Sequence, residues 1–337
     1  MRRSPPVSVV IPTYNRADQT CRAVKTVLQG TALPDEVLVI DDGSTDGTAE
    51  KVRALGEDLV VVVENKQNSG VARARNIGLK KARNRWIALL DSDDTWLPNH
   101  LEALVSHIVA NPDVCIVQGL ERWYRNGVRV NSRAVHQPQK GNIFELSLKR
   151  CLVSSSAVLL DREMVFDVGG YDERMPVCED YDLWLRLARN HCFGLVEKET
   201  IMKDGPRPDQ LSRKYWGMDR FRVFSMVKLL SEGLSEDQTE ATRQICLSKL
   251  GVLAGGARRR GRNDAAVAYE KWATAVRSSV GQDVSGASFA ELPALLQKAG
   301  IGLEARATDP ILSALRWNHE KHTDADPTGR SGANSAL

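Results

Sequence analysis

The sequence predicts an α/β fold, a mostly parallel β-sheet covered by helices on both faces, followed by a smaller C-terminal helical region. Short β-branched runs alternate with helical segments between Val7 and Leu90, and such alternation implies right-handed βαβ crossovers and a parallel sheet. Three of the strands run directly into polar or acidic steps, Pro12-Thr13-Tyr14-Asn15, Asp41-Asp42-Gly43-Ser44 and Asp91-Ser92-Asp93-Asp94. In an open α/β sheet these steps should lie on one edge, where ligands bind outside the carboxyl ends of the strands. From about Tyr215 the β-branched runs give way to helical periodicity, so the sheet has ended there.

In order, Val7–Ile11 is the first strand, and a helix over 17–29 carries Ala23, Val24, Val27 and Leu28 on one face and stops at Gly30. Glu36–Ile40 is the second strand. Thr45 or Asp46 caps a helix through Val52 and Leu55. Residues 59–63 form a third strand, 71–82 a third helix and 86–90 the fourth strand. Pro98 starts a helix ending near Ala110, since proline suits a first helical position. Val114–Gln118 and Arg122–Val130 read as strands, 131–141 as a loop and 153–160 as a buried strand. Asp161 caps a short helix ending at Gly169-Gly170. The run Cys178-Glu179-Asp180-Tyr181-Asp182-Leu183-Trp184-Leu185-Arg186-Leu187 has a helical apolar stripe, with Glu179 and Asp180 at its N-terminus. A strand over 193–196 and a loop over 203–212 follow, then helices near 215–232, 236–257, 263–280 and 287–300. Trp216, Phe221, Phe224 and Met226 should pack this helical part onto the sheet domain. The tail over 319–337, rich in Thr, Asp, Gly, Ser and Asn, reads as disordered.

Composition narrows the class of protein. The chain has 337 residues, 42% hydrophobic and 26% charged, with a net charge of +3, too little to argue for nucleic acid. No apolar run approaches the roughly 20 residues that span a bilayer, and the opening residues turn polar too soon for a secretory signal. A cytoplasmic protein is expected, with peripheral contact at the inner face of the membrane compatible. Six scattered cysteines without ligand spacing read as reduced core thiols rather than a zinc site or disulfide frame.

The acidic step at Asp91, Asp93 and Asp94 puts like charges side by side. A hard divalent cation or a polyhydroxylated ligand would take up that charge, and a solvated acidic turn is the alternative. The first turn lacks GxGxxG and the chain has no GxxxxGK[ST], which disfavours a nicotinamide oxidoreductase and a phosphate-cradling loop. A carboxylate in Asp41-Asp42-Gly43-Ser44 can instead accept from a base N–H or ribose hydroxyls. Tyr14 offers a face on which a base can stack, or it packs against the following helix. Arg73 and Arg75 are two residues apart on a helix and cannot share one face; either approaches a diphosphate or covers apolar neighbours with its stem. Glu179 and Asp180 are stabilised as anions by the helix dipole, which caps alone would also use.

The runs VSVVIPTYNR, DEVLVIDDGSTDGT, NSGVARARNIG and LLDSDDTW, in this order over roughly residues 5–100, resemble the nucleotide-sugar half of the family 2 glycosyltransferases, enzymes of A-type, Rossmann-like fold. The resemblance implies a catalytic domain over 1–214, with a nucleotide-sugar half (1–100) and an acceptor half (101–214), and a helical region over 215–318. It implies that Pro12 and Tyr14 flank the base, that Asp42 helped by Asp41 binds its ring N–H, and that Arg75 approaches the diphosphate. The D-x-D carboxylates would serve ribose and metal, Asp91 and Ser92 nearer the ribose, Asp93 the principal metal ligand with Asp91, and Asp94 less directly. The cofactor is then Mn2+ or Mg2+. The E-D step carries over as Asp180, the catalytic base, and Glu179, which assists in positioning. A UDP-sugar donor and an acceptor such as a glycan or lipid-linked saccharide follow from the same likeness, with an inverting displacement. Relatives often have a histidine near Arg207; arginine cannot ligate a cation but can fork onto phosphate. That departure keeps a non-catalytic nucleotide-sugar-binding protein in view, and a metal-dependent nucleotidyltransferase is the alternative among enzymes.

Overall fold

The computed structural model of the chain describes residues 5–131, 137–205, 215 and 217–278. The elements in order are β1 (Val7–Thr13), α1 (Ala17–Leu28), β2 (Glu36–Asp41), α2 (Thr48–Arg53), β3 (Val60–Glu64), α3 (Val71–Lys81), β4 (Trp86–Leu89), β5 (Thr95–Trp96), α4 (His100–Ala110) and β6 (Ile116–Arg125). They continue with β7 (Val128–Val130), α5 (Phe144–Lys149), β8 (Val158–Asp161), α6 (Arg162–Asp167), α7 (Glu179–Ala188), β9 (Gly194–Asp204), α8 (Asp219–Ser231), α9 (Glu236–Arg259) and α10 (Asn263–Ser278).

The strands form one nine-stranded sheet in the order β3-β2-β1-β4-β8-β6-β9-β5, with β7 paired to β6. β1 to β4 are parallel to one another, β8 runs against both β4 and β6, and β9 is parallel to β6. The mostly parallel sheet is therefore as expected. The chain moves outward from β1 to β3 and returns to β4 on the other side of β1, so the strand order switches between β1 and β4, the place where open α/β sheets bind ligands.

Successive strand residues point to opposite faces, and the core divides accordingly. Val9, Ile11, Val37, Val39 and Leu90 face one side with Val24 and Val27 of α1 and Leu101 and Leu104 of α4. Val10, Leu38, Ile40, Ile87 and Leu89 face the other with Leu79 of α3 and Leu183 and Trp184 of α7. Gly78 lets α3 lie close on this second face: a Cβ there would stand 2.3 Å from Cγ1 of Val10, so that Val10 or the helix would have to shift. Phe221 and Met226 of α8, Leu250 of α9 and Trp272 of α10 are buried in the same cluster as Trp184, and the partly buried Phe224 packs on it. The helical region thus extends the core of the sheet domain.

Several expectations need correction. The helix expected from Pro98 begins at His100, because Thr95 and Trp96 pair with Met202 and Ile201 as an edge strand. The strand expected over 122–130 is a hairpin turning at Asn126 and Gly127, both at positive φ, the turn that an Asn-Gly step favours. β9 runs to Asp204 rather than ending near Val196, because it pairs with β6 along its length across an irregularity at Gly119–Glu121. α5 lies where no element was expected. Arg207, Trp216, the helix expected over 287–300 and the tail over 319–337 lie outside the described residues.

Candidate active site

The register of the first strands brings the three steps to one edge. Thr13 at the end of β1 is opposite Asp41 at the end of β2, and Val10 of β1 is opposite Leu89 of β4. The turns after β1 and β2 are tied together: the Asn15 amide donates to Ser44 Oγ at 2.8 Å, and Asn15 Oδ1 accepts from the Thr45 amide at 2.8 Å. Pro12 is buried within β1, whereas Tyr14 is 44% exposed. The ring is open to a ligand rather than packed under a helix.

Asp41 is buried and accepts from the Ser44 amide at 2.9 Å. Asp42 accepts four hydrogen bonds from within the protein. Its Oδ1 accepts from Asn65 Nδ2 at 2.8 Å and Ser69 Oγ at 2.7 Å, and its Oδ2 from the amides of Ser69 at 2.9 Å and Gly70 at 2.7 Å. Those four bonds fill the acceptor capacity of a carboxylate. Asp42 therefore shapes the entry to α3, and a base N–H would have to displace one of these bonds. Gly43 supports the same turn, since at φ +80° a Cβ would meet the Gln67 backbone at 2.7 Å.

At the acidic step each carboxylate has a cation of the protein's own. Asp91 Oδ1 accepts from Arg75 Nη2 at 2.7 Å, Asp93 pairs with Arg16 at 3.1 Å, and Asp94 pairs with Lys203 at 3.3 Å. Ser156 joins the step internally: its hydroxyl accepts from the Asp91 amide at 3.1 Å and donates to Asp94 Oδ2 at 2.6 Å. Ser92 is buried beside them. Lys203 also lies 3.5 Å from Glu121 and 5.6 Å from the Trp123 ring centroid. Against the effect of burial, Arg75 holds the Asp91 carboxyl below its usual range, with Lys203 contributing. Burial instead pushes Asp94 up to about 6, with Lys203 opposing and the charges of Asp93 and Asp91 adding to the rise.

Arg75 is a buried side chain, whereas Arg73 is exposed. Its Nη1 donates to Glu179 Oε1 at 2.5 Å, and its guanidinium lies 5.2 Å from the Tyr171 ring centroid. Both terminal nitrogens of Arg75 bind the protein's own acids. Next to it, Asn76 Nδ2 donates to the Tyr171 carbonyl at 2.9 Å and Oδ1 accepts from the Tyr171 amide at 2.9 Å.

The start of α7 faces this cluster through Arg75. Cys178 occupies the N-cap at φ 62°, and Glu179 and Asp180 follow in the first turn. Asp180 Oδ1 accepts from the Tyr181 amide at 2.6 Å, and Oδ2 lies 3.7 Å from the Cys151 thiol, whose nearer acceptor is the Val153 carbonyl at 3.3 Å. Burial and the Asp180 charge push the Cys151 thiol well up, so it stays a protonated donor. Asp182 points away, to Arg186 at 2.7 Å and Lys228 at 2.6 Å.

Burial also pushes the Glu179 carboxyl up to about 7; Arg75 opposes this and Asp180 adds to it. The sign for stability follows. Between the ordinary pKa of a glutamate and about 7 the folded chain binds the extra proton, so stability falls as pH rises through that window. In urea unfolding at a series of pH values between 5 and 8, Glu179→Gln should lose stability with rising pH less steeply than the natural chain. Equal slopes would remove Glu179 as a titrating group.

Among the described residues no group of three or more His, Cys, Asp or Glu side chains is placed to hold a metal ion. A small hard cation held by one or two carboxylates, with diphosphate oxygens and water completing its shell, needs no such group. Asp91 and Asp93 stand two residues apart just after β4, and Asp93, at 17% side-chain exposure, is placed to meet an added cation. The residues fit a divalent ion held by Asp93 with Asp91.

Sequence reasoning missed Arg16, Lys203, Ser156 and Cys151 as parts of the site. Arg16 and Lys203 stood inside the quoted motif and loop; nothing local marked Ser156 or Cys151.

Comparison with known proteins bears on the family and the fold. A family model described as "Glycosyl transferase family 2" matches residues 8–168. The UDP-Glc:alpha-D-GlcNAc-diphosphoundecaprenol beta-1,3-glucosyltransferase WfgD of Escherichia coli is 32% identical over 194 residues, 56% of this chain and 72% of that protein. The putative teichuronic acid biosynthesis glycosyltransferase TuaG of Bacillus subtilis is 30% identical over 200 residues, 57% of this chain and 77% of that one. An uncharacterized glycosyltransferase of Rickettsia bellii is 31% identical over 200 residues, 58% of this chain but 28% of its own length; this chain spans about a third or less of the Rickettsia relatives it matches. The crystal structure of S. aureus TarS 1-349 in complex with UDP superposes with a TM-score of 0.60 at 15% identity, over 93% of this chain and 92% of that one. At that identity the likeness is one of fold.

Proposed function

This chain belongs to glycosyltransferase family 2, and on that premise we propose that it moves a sugar from a nucleoside diphosphate, UDP by preference, to an acceptor hydroxyl with inversion. The observation that carries this reading is the convergence on one sheet edge of an exposed Tyr14, the Asp41 turn and the Asp91–Asp94 step, with the first turn of α7, which carries Glu179 and Asp180, tied to Asp91 through Arg75. The crystal structures of TarS with UDP and with UDP-GlcNAc support a uridine donor. The names of the Escherichia coli and Bacillus subtilis relatives support a lipid-linked saccharide or a glycan as acceptor. Among the described residues no helix is long and apolar enough to cross a membrane, and such an acceptor would be met by peripheral contact.

The residues divide the reaction between them. Tyr14 stacks on the base and the Asp41 turn reads its edge. Asp93 and Asp91 would hold a divalent cation, Mn2+ or Mg2+, which would supply charge neutralisation for the departing diphosphate. Asp180 takes the proton of the acceptor hydroxyl as that oxygen bonds to the anomeric carbon and the bond to the diphosphate breaks. A single displacement of this kind inverts the configuration. The Tyr181 amide and the Cys151 thiol lie against the two carboxylate oxygens of Asp180.

Titration calorimetry with UDP, GDP and dTDP, each with and without manganese, tests the reading on the natural chain and on Asp93→Asn. UDP should bind tightest, in a manner that needs both the metal and Asp93. Absence of binding by all three would remove the donor site and leave the chain a family member with another role.

A further inference from the structure

Arg75 joins the donor edge to the base-bearing helix through charge. Its guanidinium spans from Asp91, after β4, to Glu179, in the first turn of α7, at 2.7 and 2.5 Å. The span closes 104 residues of chain. Both the arginine and Glu179 are buried, and the Tyr171 ring lies beneath the guanidinium. The neighbouring Asn76 fastens the backbone of Tyr171 by a donated and an accepted bond, and its Nδ2 donates to Glu173 as well at 2.9 Å. The two adjacent side chains of α3 therefore grip the segment leading into α7 at both of its ends. A planar fork that binds two carboxylates at once fixes their separation as well as their charge, which an ammonium does not do.

From this geometry, and resting on the function proposed above, we infer that Arg75 is a positioning residue rather than a donor ligand: it holds Glu179, and with it the helix start that presents Asp180, at a set distance from Asp91. Displacing a base by about an ångström can cost on the order of 100-fold in rate without altering ground-state binding, so the bridge would act on the turnover number. Glu179 is then the partner through which Arg75 works, and the two side chains form a single unit.

The test uses the full chain with Arg75→Lys, Arg75→Met, Glu179→Gln and the double variant Arg75→Met/Glu179→Gln. Hydrogen exchange, read by mass spectrometry without any nucleotide, should be faster by about ten-fold or more at amides of 171–183 in Arg75→Lys, with β1 to β4 unchanged. Unaltered exchange at 171–183 would overturn the positioning role whether or not the chain is a transferase. UDP affinity by calorimetry should stay within about three-fold of the natural chain, while release of UDP from UDP-glucose or UDP-N-acetylglucosamine, whichever the natural chain turns over, should fall about 100-fold in kcat with little change in KM. The losses of Arg75→Met and Glu179→Gln should fail to multiply in the double variant. A drop of about ten-fold or more in UDP affinity on Arg75→Lys, or losses that multiply, would assign Arg75 to the donor instead. If Arg75→Met does not fold, Arg75→Lys and Glu179→Gln carry the same comparison. Failure of the natural chain to bind UDP would count against the proposed function and leave the exchange result to decide the positioning role.

Discussion

Replacing Asp180 with asparagine is expected to lower sugar transfer by about 10²–10⁴-fold, the usual contribution of a general base, while leaving UDP affinity unchanged within about three-fold. Asparagine matches the shape of aspartate and keeps an oxygen for the Tyr181 amide, which now donates to Oδ1 at 2.6 Å. It cannot take a proton from a hydroxyl. The variant thus separates the base from its scaffold, and circular dichroism should show the same fold. Transfer or donor-hydrolysis rates at saturating donor, compared with calorimetric UDP binding, make the measurement. Retention of more than about a tenth of the rate would send the base elsewhere. Loss of UDP binding would instead mean that Asp180 belongs to the donor site.

Arg186→Met is expected to destabilise the fold by about 3–5 kcal/mol, the usual cost of removing one partner from a buried ion pair. Arg186 binds Asp182 through Nε at 2.9 Å and Nη2 at 2.7 Å, and its nitrogens also donate to the carbonyls of Val168 and Gly170. Asp182 is 1% exposed, and on its other side Lys228 of α8 closes to 2.6 Å. Removing the guanidinium leaves that carboxylate with Lys228 and strips two carbonyls of a charged donor. Equilibrium urea unfolding measures the difference. A loss below about 1 kcal/mol would show that the pair behaves as an exposed one does. UDP affinity should not change in proportion, because Asp182 points into the contact between α7 and α8 and away from the acidic step.

These two acids, Asp180 and Asp182, sit two residues apart in one helix turn, and their contrast shows how far sequence reading reaches. Periodicity placed both on α7 and separated their directions, since residues two apart on a helix diverge. The identity of what each one meets came from other segments: Cys151 for Asp180, Lys228 for Asp182. Likewise the alternation of strands and helices foretold β1 to β4 and the edge they share, and the Asn126-Gly127 hairpin was legible although it was read as one strand. β5 was not legible, because a two-residue strand has no periodicity and exists only where β9 pairs with it.

What the sequence by itself determined is local and periodic. It set the parallel first half of the sheet, the helices that cover it, the carboxylates at the strand ends and the acidic start of α7. These follow from side-chain hydrophobicity and from turns that involve few residues. Only the tertiary structure decided how the charges are shared. Arg16 meets Asp93, Lys203 meets Asp94, and Arg75 reaches both Asp91 and Glu179, while Asp42 takes four bonds from Asn65, Ser69 and Gly70. A charge or a hydrogen-bond acceptor is matched in three dimensions to whatever donor the fold brings near it, and that partner comes from a segment whose distance along the chain leaves no trace in the local pattern.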